Sequence, residues 1–374
     1  MNIAVVGAGV FGISSALELR RRRHHVTVFE RGNVPCELAS SYDVSKAIRR
    51  DGYFEELLEL VERAESQWST WNDQLGRNIY ESTSRFHIVS NEEPEVIERW
   101  ELLSQIRSGV ERLSRSQVAE QLPQFSLEDG DQHFFQDRWG GYLRSAQAVR
   151  DLASLAENLG VEIRPQVEVL AVEESNKSVC LTFDNAPDRS AEFDRVVVAA
   201  GPWIGRLVPM LASATRVTQQ EYAFFRPTDP RPFKPDVFPV WCIHPTKQAW
   251  YGFPLLREGV VKLAYDQLGD EVEPDCDRSA SSRFLESVAD LVDRRFPQLN
   301  STDLVDSSSC LYTNTDDARF VVDWVPGLQR VAVAGCGNGH GFKFGGSIGL
   351  VVADHIEDCP NPLGEPFRLR DRFV

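Results

Sequence analysis

The chain has 374 residues, 42% hydrophobic and 26% charged, the balance of a globular protein long enough for two lobes with separate cores. Its formal net charge of -16 would repel a phosphate backbone, which argues against nucleic acid as a partner. Seven cysteines without a Cys-x-x-Cys pair exclude a disulfide framework and the usual zinc spacing, and no apolar run reaches the length of a membrane span. The expectation is a cytoplasmic protein in a reducing compartment, a monomer or weak homo-oligomer, with no metal and no membrane or nucleic-acid partner. The N-terminus enters a glycine motif at once, leaving no room for a signal peptide, and Asp371-Arg372-Phe373-Val374 is no peroxisomal address.

In chain order, residues 3–6 read as a short buried strand, 10 to about 23 as a helix and 26–30 as a second strand, a βαβ opening. The run Arg20-Arg21-Arg22-Arg23 complements the dipole at the helix C-terminus. An amphipathic helix is expected from Phe54 to about Leu75, with Leu57, Leu58, Val61, Trp68 and Trp71 near helical spacing. Residues 146–159 form another helix, followed by strands at 161–163 and 167–172. Residues 195–200 are a continuous apolar strand leading into Gly201-Pro202-Trp203. Between 217 and 266, extended segments at 221–225, 237–243, 250–253 and 260–265 alternate with turns, the texture of an antiparallel sheet. A last strand, 331–334, feeds a glycine-rich turn and a closing helix over 345–356.

Nucleotide-binding texture thus appears at the start, middle and end, with sheet-rich insertions between. The expected fold is α/β: a Rossmann-type domain of residues 1–85, 145–215 and 326–374, interleaved with an α+β substrate domain of residues 86–144 and 216–325 built on a mostly antiparallel sheet.

Gly7-Ala8-Gly9-Val10-Phe11-Gly12 has the G-x-G-x-x-G spacing, directly after a strand and opening a helix. The first glycine permits the tight turn, the second lets backbone approach a pyrophosphate, and the third lets helix and strand pack closely. The helix N-terminus offers unpaired N–H groups to phosphate. Glu30 ends the second strand where a carboxylate would take ribose hydroxyls, which disfavours a 2′-phosphate. The fingerprint alone does not separate FAD from NAD.

Four further segments do. They are Ser40-Ser41-Tyr42-Asp43-Val44-Ser45-Lys46-Ala47-Ile48-Arg49, the Tyr251 to Tyr265 region, Cys310-Leu311-Tyr312-Thr313, and Gly335-Cys336-Gly337-Asn338-Gly339-His340-Gly341-Phe342-Lys343. With the fingerprint, they make the chain resemble the monomeric sarcosine oxidase and fructosyl-amino-acid oxidase family of FAD enzymes, related to D-amino-acid oxidase. The resemblance runs from Met1 to about Ile356 and makes the Rossmann-type domain an FAD-binding one.

The resemblance implies a role for each matching residue. Arg49 and Lys343 would hold the substrate carboxylate, and Lys262 would activate O2 by stabilising superoxide. Cys310 would tether the flavin covalently at its 8α-methyl carbon, with Tyr312 and Thr313 lining the ring and His340 and Tyr251 beside it. Cofactor contacts would also come from Arg31, Ser41, Lys46, Val167, Ala200, Gly201, Trp203, Gly339, Gly341 and Phe342. The implied activity is oxidation of a small N-substituted amino acid: a hydride equivalent passes to flavin N5, the imine hydrolyses, and O2 leaves as hydrogen peroxide. A dehydrogenase passing electrons to a non-oxygen acceptor is the alternative.

Two departures stand out. Lys46 falls where sarcosine oxidases carry arginine and fructosyl-amine oxidases more often lysine. Asp266 replaces a family histidine four residues after the oxygen lysine, which puts sarcosine itself in doubt. Tyr222-Ala223-Phe224-Phe225 and Trp241 read as core packing.

Overall fold

The computed structural model describes residues 1–50, 56–245, 248–369 and 372. Phe54, where the sequence starts the amphipathic helix, and the terminal residues Asp371, Phe373 and Val374 lie outside the described residues.

The fold is α/β. Strand Asn2–Val6 forms the centre of a six-stranded sheet, flanked in parallel by His25–Glu30 and Arg195–Val198. Glu162–Pro165 and Val331–Gly335 extend it in parallel, and Val321–Trp324 closes one edge antiparallel. The central strands read as near-continuous apolar runs because both faces are covered. Helices Val10–Arg21, Ser145–Asn158 and Gly345–Ile356 share one core with Ile3, Val5, Val26 and Val28. A three-stranded antiparallel layer covers the other face, where Phe29 stacks on Phe183 at 4.7 Å.

The second sheet has eight strands in the order Leu304–Asn314, Arg216–Phe225, Val261–Tyr265, Trp250–Phe253, Val240–His244, Arg85–Val89, His133–Asp137 and Val110–Leu113. Every pairing is antiparallel except Val240–His244 with Arg85–Val89. Alternation sorts its faces. Val261 and Leu263 pack with Phe284, Val288 and Leu291 of helix Ser282–Arg295, whereas Ala264 joins Tyr222, Phe224, Phe253 and Cys310 on the opposite side. Lys262 lies on the Ala264 side.

Several element limits differ from the sequence reading for identifiable reasons. The first helix stops at Arg21, because Arg23 takes a left-handed φ of 68°. The strand expected from 237 begins at Val240, after Pro239, which has no N–H to give a ladder. The segment expected at 221–225 spans Arg216–Phe225, and the Cys310 stretch is itself a strand, Leu304–Asn314. Among the described residues no helix is long and apolar enough to cross a membrane.

The closing helix is pressed against two others. A Cβ on Gly349 would lie 2.3 Å from the Ser14 carbonyl oxygen, and one on Gly346 2.3 Å from that of Ala64. We expect Gly349→Ala to destabilise the protein by about 1–3 kcal/mol through overpacking. The check is a lowered denaturant midpoint with unchanged slope.

Candidate active site

The site starts where strand Asn2–Val6 ends. Gly7 has φ +106°, and a Cβ there would meet the Ala199 carbonyl oxygen at 2.4 Å, so only glycine makes this turn. Gly12 sits against Gly7 from inside, its Cβ position 1.9 Å from the Gly7 oxygen. Ser41 Oγ accepts the Val10 N–H at 3.0 Å, capping the first helix from another segment. The buried Glu30 carboxylate accepts from Ala8 N at 2.8 Å and Gly32 N at 3.1 Å, which fixes it beside the turn.

A cleft opens from this turn. It gathers Gly7, Gly9, Glu30, Arg31, Ser41 and Lys46, then Val167 with Ala200, Gly201 and Trp203. Tyr312, Gly339, Gly341 and Phe342 complete it from the C-terminal part of the chain. At one end the Arg31 guanidinium lies 4.6 Å over the Trp203 ring, and Asp275 accepts from both residues at 3.0 and 2.8 Å. At the other end Gly339, with φ +72°, leaves room for the Tyr312 ring, which would lie 2.3 Å from a Cβ there. A long cleft with a glycine floor, a helix N-terminus and a fixed carboxylate fits a dinucleotide such as FAD. Gly12 does not line the cleft; its place is in the packing beneath.

Behind Lys46 lies a buried charge cluster. Lys262 is 1% exposed, its ammonium 4.3 Å from the centre of the Tyr222 ring and 5.4 Å from that of Phe253. It donates to the Ser45 carbonyl at 3.3 Å and to the Asp43 carboxylate. Lys46 donates to the same carboxylate at 2.9 Å and lies 3.6 Å from Cys310 Sγ. Asp43 is anchored in turn: its carbonyl accepts from Ser145 Oγ at 2.6 Å and Ala146 N at 2.9 Å.

The electrostatics follow from one anion shared by two cations. Burial would raise the Asp43 carboxyl, but Lys262 and Lys46 overcome it and hold the group below the usual carboxylate range. Burial also works against the Lys46 charge, and Asp43 reverses this, holding its ammonium above an ordinary lysine. For the deeper Lys262 burial wins over Asp43, and its ammonium is pulled down.

Tyr251 and Tyr312 border this cluster, and burial pushes both phenols up, so both stay protonated donors. Asp266 is exposed at the strand end and raises both further. His340 is buried near Lys343 and Arg49; burial, then Lys343, then Arg49 lower it well below an ordinary histidine. It is therefore a neutral imidazole at pH 7. Lys343 is 4% exposed in the short turn Phe342–Phe344, whose last residue takes its ammonium at 4.9 Å from the ring centre.

The structure thus forms two groups: Lys46, Lys262, Cys310, Tyr251 and Tyr312 around Asp43, and Arg49, His340 and Lys343 together. Lys46 and Tyr312 join the first group to the cleft. Sequence reasoning passed over Asp43, although it lies three residues before Lys46 in a segment already singled out. Tyr222 is in the core as expected, and its ring also faces Lys262, which the sequence did not show.

The family model described as FAD dependent oxidoreductase matches residues 2–355. N-methyl-L-tryptophan oxidase of Yersinia pestis (strain Pestoides F) is 26% identical over 369 residues, covering 97% of this chain and 96% of its own. The fructosamine oxidase Amadoriase II from Aspergillus fumigatus superposes with a TM-score of 0.85 at 21% identity, covering 100% of this chain and 90% of the other. NikD, an unusual amino acid oxidase essential for nikkomycin biosynthesis, gives 0.84 at 20% identity, with 96% and 94% covered. With the family model spanning nearly the whole chain and the fingerprint, carboxylate and cleft in place, the protein belongs to the FAD-dependent oxidoreductases.

Proposed function

We propose that the protein is an oxidase of a small N-substituted amino acid, with residues 1–85, 145–215 and 326–374 holding FAD and residues 86–144 and 216–325 forming the substrate side. The observation that carries this reading is Lys262: an ammonium buried to 1% exposure on an otherwise apolar strand, next to a residue of the cleft. A fixed cation in a water-poor site stabilises negative charge developing on O2 far better than one in solvent. Bound FAD supplies the two-electron acceptor.

Gly7, Gly9 and the N-terminus of the first helix would take the pyrophosphate, and Glu30 a ribose. Arg49 and Lys343 would grip the substrate carboxylate and orient its C–H bond. Their charge also lowers the substrate ammonium's pKa, favouring the neutral amine that oxidation requires. His340, kept neutral, adds no third positive charge. Asp266 opposes a second carboxylate on the substrate and suits a cationic or hydroxylated tail. The relatives named for N-methyl-tryptophan and fructosamine oxidation support the class of secondary amines. A dehydrogenase reading draws on Asp43, whose carboxylate offsets the Lys262 charge.

The first experiment is peroxide release over a panel of sarcosine, N-methyltryptophan, proline, pipecolate, saccharopine, fructosyl-glycine and free amino acids. One secondary amine should give peroxide, and Lys262→Met should slow flavin reoxidation by about 10²–10³-fold while leaving flavin reduction far less affected. Equal slowing of both half-reactions would remove Lys262 from the oxygen site.

Asp43→Asn should move the pH dependence of reoxidation to lower pH. Asp43 is the main influence that raises the Lys262 pKa against burial, so without the carboxylate it falls further. The cation is present below that pKa and lost above it, so the oxidative rate should decline as pH rises, with a lower midpoint than in the parent enzyme. Stopped-flow reoxidation across a pH series would read this.

Cys310 and the cleft-lining Tyr312 lie two residues apart on one strand and so share a face. This supports a thioether between Cys310 and the flavin 8α carbon. Acid-precipitated protein should stay yellow, and Cys310→Ala should release its flavin; a colourless parent pellet would refute the tether.

A further inference from the structure

We propose that His87, Cys242 and His244 form a metal site, outside the FAD cleft, that takes Zn²⁺. The three residues lie on adjacent parallel strands, Arg85–Val89 and Val240–His244, with His87 directly in register with Cys242. His244 follows Cys242 by two positions and therefore shares its face. One ligand atom from each residue lies within 4.8 Å of the others.

One ligand–ligand distance matches a tetrahedral ion. His87 Nδ1 and His244 Nε2 are 3.3 Å apart, and two imidazole nitrogens held about 2.0–2.1 Å from one tetrahedral centre would be separated by roughly 3.3 Å. The imidazole planes are 8° apart, with ring centres 5.5 Å from each other. The Trp100 ring lies 4.2 Å from His87 and closes that side. His87 and Cys242 are 1% and 5% exposed, whereas His244 is only half-buried. An ion and a water as fourth ligand can therefore enter past His244, the open arrangement that three protein ligands leave on zinc.

Arg85 Nη2 lies 3.6 Å from Cys242 Sγ, within hydrogen-bond distance for sulfur. Asp137, buried, stands in register with Arg85 on the next strand. One thiolate with two imidazoles is a donor set that zinc and copper share, and an open fourth position for water is the arrangement of catalytic zinc. His87 and His244 are 157 residues apart, so no local spacing in the sequence announces the site.

The test uses the full-length flavoprotein without a histidine tag, stripped with a chelator and titrated with Co²⁺. Difference spectra against the metal-free flavoprotein should show one equivalent bound, with the d–d bands of a tetrahedral ion and a thiolate-to-cobalt charge-transfer band. Zn²⁺ should then erase both. Cys242→Ser should remove the charge-transfer band and weaken binding by at least about 100-fold, beyond what outer-shell changes cost. His244→Asn, at the half-buried position, provides a second variant should Cys242→Ser fail to fold. Cys359→Ser, at an exposed cysteine, should change nothing. Absence of the charge-transfer band, its persistence in Cys242→Ser or its loss in Cys359→Ser would each overturn the site. None of these readouts depends on the oxidase activity.

Discussion

A carboxylate without exposed surface, Asp43, receives an ammonium from each side, and the two sheets meet around it. Lys262 reaches it from the second sheet, while Lys46 opens the short strand Lys46–Ile48, which pairs with Gly141–Leu143 in a separate small sheet. Its own backbone carbonyl is held by Ser145 and Ala146 at the start of helix Ser145–Asn158, which packs on the first sheet. Removing one member of a buried pair leaves an uncompensated charge, at a cost of about 3–5 kcal/mol. The cluster therefore fixes the relative position of cleft and second sheet at the point where chemistry is expected. With two cations to one anion it also keeps a net positive charge there.

That surplus is possible because the second sheet separates its faces cleanly. Val261 and Leu263 point into an aromatic and aliphatic core with helix Ser282–Arg295, so Lys262 between them has only the opposite face available. On that face Tyr222 and Phe253 present ring surfaces to the ammonium, which partly replace water. The strand's period of two thus converts an unremarkable alternation of residues into a buried cation beside a cleft.

Much of the nucleotide-binding half was legible in the sequence, because its signals are local. The glycines, the strand before them, Glu30 and the closing helix Gly345–Ile356 all follow from short-range pattern. The polar strands were less visible: Thr218, Gln219 and Gln220 break the apolar run of Arg216–Phe225, and serines fill the start of Leu304–Asn314. Asp43 was hidden for a different reason. An acidic residue in a loop reads as solvated, and only tertiary pairing with Lys262, 219 positions away, makes its burial tolerable. Tyr222 is core, as its aromatic strand position suggests, but the Lys262 ammonium over its ring could be seen only in the tertiary structure. His87 and Cys242 come together only through a parallel pairing of distant strands, which leaves no local pattern.

The same sheet face carries both charged clusters, and their separation has a structural cause. Cys242 is in register with Tyr251, and Tyr251 with Ala264, so the thiol and the Lys262 group are divided by a strand bearing Tyr251 and Phe253. Both phenol and phenyl are uncharged, since burial keeps Tyr251 protonated. A divalent ion bound at the cysteine would add positive charge at one side of that aromatic strand while Lys262 holds it at the other. The aromatic strand would limit direct contact, but in a low-dielectric interior it would screen little. Asp43 pairs with Lys262, and buried Asp137 stands in register with Arg85, so each of two positive centres on one face of a single sheet has a buried carboxylate on a neighbouring segment.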